Sequence, residues 1–170
     1  MKRLLLAAVL SLTTFGSAMA QTVVLVRHAE KADASADPVL SEAGVARAEA
    51  LSQALADFHP DHVFISPLQR TGLTAAPTAA YHSVTPEVFA FEGGTAGHVA
   101  AIVARIQSYP DDAVVLVVGH SNTIPLIARA LGYAEAADMA DCEYDRMTVL
   151  DLDAARATGV VTRYGAASSC

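Results

Sequence analysis

Basic side chains are scarce in this 170-residue chain, with 11 Lys and Arg against 18 Asp and Glu and a formal net charge of −7. Without Lys2 and Arg3 the balance is 9 against 18, a net charge of −9. A surface of that sign repels nucleic acid and anionic lipid, which excludes a function on polyanions. Long apolar runs are missing as well: Leu4 to Leu12 falls well short of the roughly 20 residues a membrane-spanning helix needs. Internal repeats, low-complexity tracts and interior linkers are absent, which argues against a repeat array or a second domain.

The first twenty residues read as a secretory signal. Lys2 and Arg3 precede the short apolar core, and Ala18-Met19-Ala20 supplies a small-residue cleavage site. No cysteine follows that site, so a lipid anchor is not expected. The chain is expected to be exported, to the periplasm or beyond, after cleavage near Ala20. Residues 21–170 then form one domain of about 150 residues, enough for a proper core and too few for a catalytic domain with a large cap.

Only two cysteines occur, Cys142 and Cys170. Met147 to Asp151 and Val160 to Tyr164 read as two strands joined by a turn over Asp153 to Gly159, centred near residue 156. The two cysteines are equidistant from that centre, so a disulfide between them would close the open end of the hairpin, as an exported chain permits. Two free thiols are the alternative.

What is abundant is an alternation of strand and helix patterns, the mark of a layered α/β domain. Thr22 to Val26 and Ala113 to Val118 are apolar almost throughout, as central parallel strands covered on both faces would be. Helices are expected from Ser41, an N-cap, to about Asp57; from near Pro67 until Pro77 kinks or ends it; from Thr95 to Ser108; and from about Asn122 to Leu131, stopped by Gly132. His62 to Ile65 forms a further strand, and Val84 to Phe91 a strand or extended segment. Gly44 weakens the first turn of its helix, and a close backbone approach to the pocket would explain it.

Three of the strands deliver polar groups at their carboxyl ends, where open α/β sheets bind ligands. Arg27-His28-Ala29-Glu30 follows the first, Ser66-Pro67-Leu68-Gln69-Arg70 the second, and Gly119-His120-Ser121-Asn122 the last. Arginines grip phosphate oxygens with a planar fork, and an imidazole nitrogen can attack phosphorus. An acidic protein that concentrates its few cations in one pocket suits a small phosphorylated ligand.

These strings, with Leu40-Ser41-Glu42-Ala43-Gly44, resemble the histidine phosphatase superfamily from Thr22 to about Tyr144. The resemblance implies a phosphoglycerate mutase-like three-layer α/β/α sandwich with a mostly parallel central sheet. It also implies that His28 is the nucleophile that becomes phosphorylated, and that Arg27, Arg70 and His120 form the phosphate pocket. Ala29 stands where the family has glycine, which puts the pocket rim in question. Ser66, Ser121 and Asn122 are further phosphate-binding candidates, and Ser121-Asn122 could instead cap the following helix. A charged His120 would add a third positive donor and hold His28 neutral. No metal or cofactor is expected, because the arginines supply the positive charge.

The proton donor to the leaving group is left open among Glu92, Glu30, Glu87 and no side chain at all. His59 and His62 flank a turn and are weak metal candidates. His98 is read as a surface or capping residue, and His82 has no partner in view. The function implied is an exported phosphatase for a small phosphorylated metabolite or an envelope sugar phosphate. Alternatives are a phosphohistidine-protein phosphatase, a phosphomutase, or a non-catalytic phosphate- or phosphosugar-binding module.

Overall fold

The apolar residues of the two central strands point alternately to opposite sides, and both sides are buried, which dictates three layers. In the computed structural model, which describes residues 20–153 and 157–170, β1 (Gln21–Arg27) turns Val23 and Leu25 to one face and Val24 and Val26 to the other. Residues 1–19, on which the expected signal falls, and residues 154–156 in the C-terminal turn lie outside the described residues. The chain continues through α1 (Glu42–Ala54), β2 (His62–Ile65), α2 (Gln69–His82), β3 (Glu87–Val88), α3 (Gly94–Ile106), β4 (Val114–Gly119), α4 (Ile124–Ala130), β5 (Arg146–Leu152) and β6 (Ala157–Arg163). Leu51 of α1 and Leu55 just after it, with Ala75 and Ala79 of α2, cover the Val24 face. Val99, Ile102 and Ile106 of α3 and Ile127 of α4 cover the Val23 face. This is the α/β sandwich expected.

The six strands lie in the order β3-β2-β4-β1-β5-β6, with β3, β2, β4 and β1 parallel and β5 and β6 antiparallel. The chain leaves β1 for a helix on one face and leaves the adjacent β4 for a helix on the other. Neighbouring parallel strands whose connections diverge leave a crevice at their carboxyl ends. Arg27 and Gly119 face each other there, as the last pair of the β1–β4 register.

Several local expectations are corrected. Pro77 does not end α2, which runs on to His82. Burial of Thr74, Ala75, Thr78 and Ala79 on the next face outweighs the single hydrogen bond that the proline forgoes. The helix starts at Gln69 rather than at Pro67, because Thr71 Oγ1 and Ser66 Oγ occupy the preceding turn. The extended segment from Val84 yields only two paired residues, Glu87 and Val88.

The hairpin is shifted too. Arg146 pairs with Arg163 and Leu152 with Ala157, so its centre lies between residues 154 and 155 and its turn is tighter than Asp153 to Gly159. Ala157, Thr158 and Gly159 carry little strand signal, yet they pair. Gly159 belongs there because a side chain would meet Leu150 and Tyr133 within 3 Å. Cys142 and Cys170 are joined, with Cα atoms 5.3 Å apart. Their bridge lies beyond the ladder, where the chain after Tyr164 no longer follows the strand register.

Ser41 caps α1, its side chain accepting from the Gly44 amide. A Cβ on Gly44 would sit 2.3 Å from the Glu30 carbonyl oxygen, so α1 packs directly on the backbone that follows β1. Helix propensity alone makes Gly44→Ala stabilising, by about 1 kcal/mol. The contact reverses that sign: Gly44→Ala is expected to cost about 1–3 kcal/mol in urea unfolding, the usual penalty of overpacking. A gain in stability would show that the Glu30 backbone yields freely.

Candidate active site

The end of β1 fixes the first histidine. The His28 amide donates to the Gly119 carbonyl at 2.9 Å, and the side chain is 3% exposed. Its Nδ1–H donates to the Ala29 carbonyl at 2.8 Å, which leaves the lone pair of the neutral ring on Nε2. Ala29, where the family pattern has glycine, is fully buried and clusters with Leu40 and Ala48. Its amide donates to Thr74 Oγ1 at 2.9 Å, and that hydroxyl donates to the Arg70 carbonyl at 2.7 Å. One threonine thus ties the His28 loop to the helix that carries Arg70.

The two arginines are half used. Arg27 is 4% exposed, and its Nη1 donates to the carbonyls of Ala140 (3.0 Å), Asp141 (2.8 Å) and Glu143 (3.3 Å). The Tyr144 ring lies 4.2 Å from the guanidinium carbon. Arg27 Nε, Arg70 Nε and Arg70 Nη1 are buried and have no hydrogen-bond partner. The Asp37 carboxylate is 3.7 Å from Arg70 Nη1, an ion pair too long for a hydrogen bond. Buried cationic donors without partners are costly, and an oxyanion placed among them would satisfy them together.

His120 completes the cluster. Its ring centroid is 5.3 Å from that of His28, its Nε2 is 3.0 Å from Ser66 Oγ, and its amide donates to Thr123 Oγ1. Ser66 is itself bonded to Thr71, which donates to the Ser66 and Leu68 carbonyls. Burial pushes the His28 pKa down to about 4, helped by Arg27 and Arg70. Burial pushes His120 down to about 3, with His28, Arg70 and His98 adding to it. The expected charge on His120 is therefore corrected: in the empty site it is neutral, and the arginines alone supply the positive charge.

The structure gathers His28, Arg27, Arg70, His120 and Ser66. It places the remaining expected residues elsewhere. Ser121 donates to the Asp141 carboxylate at 3.3 Å, and Asn122 is exposed with no side-chain hydrogen bond. Neither caps α4, which begins at Ile124 after Thr123. Glu30 is withdrawn from acid chemistry by Arg47, whose Nε and Nη2 engage both of its carboxylate oxygens. Glu87 pairs with Arg105 at 3.2 Å on the β3 edge. Glu92 is exposed and unpaired, next to Phe91, whose ring centroid is 5.8 Å from that of His120.

Other histidines also differ from expectation. His98 is not on the surface: it is 1% exposed, with Nδ1 3.2 Å from the Ala90 carbonyl and its ring against Phe91. His62 stacks on Tyr109 while His59 packs on His82, so the two face different neighbours. His82 has a partner in the Leu55 carbonyl. Sequence reading missed Tyr144, Thr74, Thr71 and Asp37. Thr74 follows Arg70 by one helical turn, a spacing that puts both on one face and could have flagged it.

A search of curated protein sequences finds no match. The profile of the histidine phosphatase superfamily (branch 1) matches residues 23–90. A solved structure of a candidate phosphohistidine phosphatase, SixA from Nakamurella multipartitia, is 30% identical with a TM-score of 0.60, covering 86% of this chain and 98% of that one. The chain belongs to the histidine phosphatase superfamily. Its phosphoglycerate mutase-like fold is shared with a mycobacterial glucosyl-3-phosphoglycerate phosphatase (17% identity, TM-score 0.62, 88% of this chain and 100% of that). A candidate alpha-ribazole-5′-phosphate phosphatase from Escherichia coli shares it too (18% identity, TM-score 0.68, 85% and 97%).

Two imidazoles buried neutral make stability depend on pH. Their folded pKa values of about 4 and about 3 lie below the ordinary 6.5, so the unfolded chain takes up protons that the folded one refuses. Stability is expected to be full above pH 6.5 and to fall as pH drops toward 4 and then 3. Glu143 and Asp145 resist burial through Arg146, Ser168 and Arg163 and sit below the usual carboxylate range, so their loss comes at lower pH. Urea midpoints measured from pH 7 to 4.5 isolate the histidines, and His120→Asn should flatten the slope. An unchanged slope in that variant would contradict a neutral His120.

Proposed function

We propose that this protein is an exported phosphatase that hydrolyses a small phosphorylated metabolite or an envelope sugar phosphate through a phosphohistidine on His28. The observation that carries the reading is the set of buried, unpartnered guanidinium N–H groups beside a neutral imidazole whose free lone pair is on Nε2. A phosphoryl group would accept from Arg27 Nε and from Arg70 while Nε2 attacks phosphorus in line with the leaving oxygen. Charge spread over the equatorial oxygens is met by the two arginines, which are already in position. Water then attacks the phosphohistidine, returning His28 and releasing inorganic phosphate. The arginines supply the charge that a metal would otherwise bring, so the mechanism calls for no cofactor.

Export rests on the N-terminal signal pattern and on the Cys142–Cys170 bond, a modification that persists in oxidising compartments. A second reading, dephosphorylation of phosphohistidine on a protein, is favoured by the 30% identity to the SixA candidate. Turnover of a panel of sugar phosphates against a phosphohistidine peptide separates the two. A non-catalytic binding module would turn over neither, nor a generic aryl phosphate.

Brief exposure to ³²P-labelled substrate should leave label on the protein that survives alkali and is lost in acid, and His28→Ala should abolish it. Label persisting in that variant would remove His28 from the nucleophile role. The pH profile of kcat/KM should keep its acid limb near pH 4 rather than 6.5, because it reports the free enzyme.

With Glu30 bound to Arg47, Glu92 is the proton donor we favour. Glu92→Gln should slow hydrolysis of alkyl phosphates by about 10²–10⁴-fold and leave 4-nitrophenyl phosphate almost unaffected, since nitrophenolate needs no proton to leave. Arg70→Ala should damage both substrates. Equal losses on both in Glu92→Gln would assign that residue to binding, and no loss would leave the reaction without a dedicated acid.

A further inference from the structure

The loop between α4 and β5 has no regular structure, yet it supplies everything that holds Arg27. Three of its carbonyls, those of Ala140, Asp141 and Glu143, accept from Nη1, and its Tyr144 lies under the guanidinium at 4.2 Å. The same ring has its centroid 6.0 Å from that of the His28 ring, so Tyr144 forms one wall of the site. An arginine stacked on an aromatic face keeps its N–H edges free for a ligand, and Arg27 Nε is free.

The loop is in turn held by the C-terminal segment after β6, which is also irregular. Ser168 Oγ accepts from the amides of Tyr144 and Asp145 at 2.8 and 3.0 Å and bonds the Asp145 carboxylate at 2.8 Å. The Cys142–Cys170 bond ties the two segments covalently on the other side of Tyr144's neighbour Glu143. Few backbone bonds secure either piece: the Tyr164 amide to the Asp145 carbonyl is the last before the chain ends. Arg129 and Arg146 hold the outer part of the loop at Ala136, Ala137 and Asp138, and Arg146 and Arg163 pair with the side chains of Glu143 and Asp145 on either side of Tyr144.

We propose that Tyr144 is a positioning residue for Arg27 and that the Cys142–Cys170 bond keeps it there, so that phosphate affinity depends on the redox state of that bond. The inference rests on the reading of Arg27 as a phosphate ligand. A dithiol such as dithiothreitol breaks the bond by donating two electrons and two protons, giving two cysteine thiols and its own cyclic disulfide. Freed of that bond, the C-terminal segment keeps the buried Tyr164, whose carbonyl accepts from Arg47, but beyond Gly165 it is left with the Ser168 hydrogen bonds to Tyr144 and Asp145, and the Tyr144 ring loses its covalent restraint over Arg27.

The test measures inorganic phosphate affinity by calorimetry, 4-nitrophenyl phosphate turnover, and the ¹⁵Nε resonance of Arg27 in the full chain. Tyr144→Leu should weaken phosphate binding by about 3- to 30-fold, the range for loss of a cation–π contact, and lower kcat/KM in parallel. Tyr144→Phe should recover most of that loss. Dithiothreitol should shift the oxidised wild type in the same direction and move the Arg27 resonance away from its ring-shifted position, and reoxidation should reverse both.

The Cys142→Ser, Cys170→Ser double variant should match the reduced protein and ignore reductant. Unchanged affinity and an unmoved Arg27 resonance in Tyr144→Leu, or in wild type whose two thiols have been titrated, would overturn the proposal. If oxidised wild type fails to bind phosphate at all, the phosphatase reading fails instead. The Arg27 resonance needs no ligand and still decides the positioning claim.

Discussion

The pairing of β1 with β4 is the constraint on which the rest depends. It sets Arg27 opposite Gly119, lets the His28 amide bond the Gly119 carbonyl, and thereby fixes the distance between the two histidine-bearing loops. A shift of one residue would turn Val24 and Val26 to the wrong layer and carry the site with them, so the core that stabilises the sheet also guards the geometry of the pocket. Phosphoryl transfer gains most from donors that need not move, and donors rooted in a buried register satisfy that condition.

Burial does two jobs at this site. It depresses the basicity of His28 and His120 so that one keeps its lone pair, and it leaves guanidinium N–H groups without partners. An oxyanion bound as proposed would offset the second cost. Thr74 and Thr71 limit how far the arrangement can relax, the Thr74 hydroxyl bonding backbone of the His28 loop and of α2, and the Thr71 hydroxyl bonding backbone within the turn that carries Ser66.

The layered fold was legible in the sequence because β1 and β4 are apolar at nearly every position, a pattern that only strands covered on both faces carry. The cluster of His28, Arg27, Arg70 and His120 was legible because each follows such a strand or the turn after it. What escaped depended on tertiary contact. The protonation of His120 follows from enclosure by His28, Arg70 and His98, which lie far from it in sequence. Glu30 stands beside the nucleophile in the chain, but Arg47, one helix later, claims it. Tyr144 sits in an irregular loop with no periodicity to mark it. Even the disulfide pairing came from a hairpin centre that the real register does not share, so symmetry about residue 156 was not its physical cause.

The strand order also governs how the molecule can be made. β1 lies between β4 and β5, whose contacts with it span some ninety to one hundred and thirty residues of sequence. Pairings of such long range cannot form on a ribosome until almost the whole polypeptide has emerged, and until then the first strand has neither neighbour. The nascent chain therefore keeps β1, with its apolar run Val23 to Val26, unpaired for most of its synthesis. That delay makes the same strand the one that a holdase chaperone would have to cover.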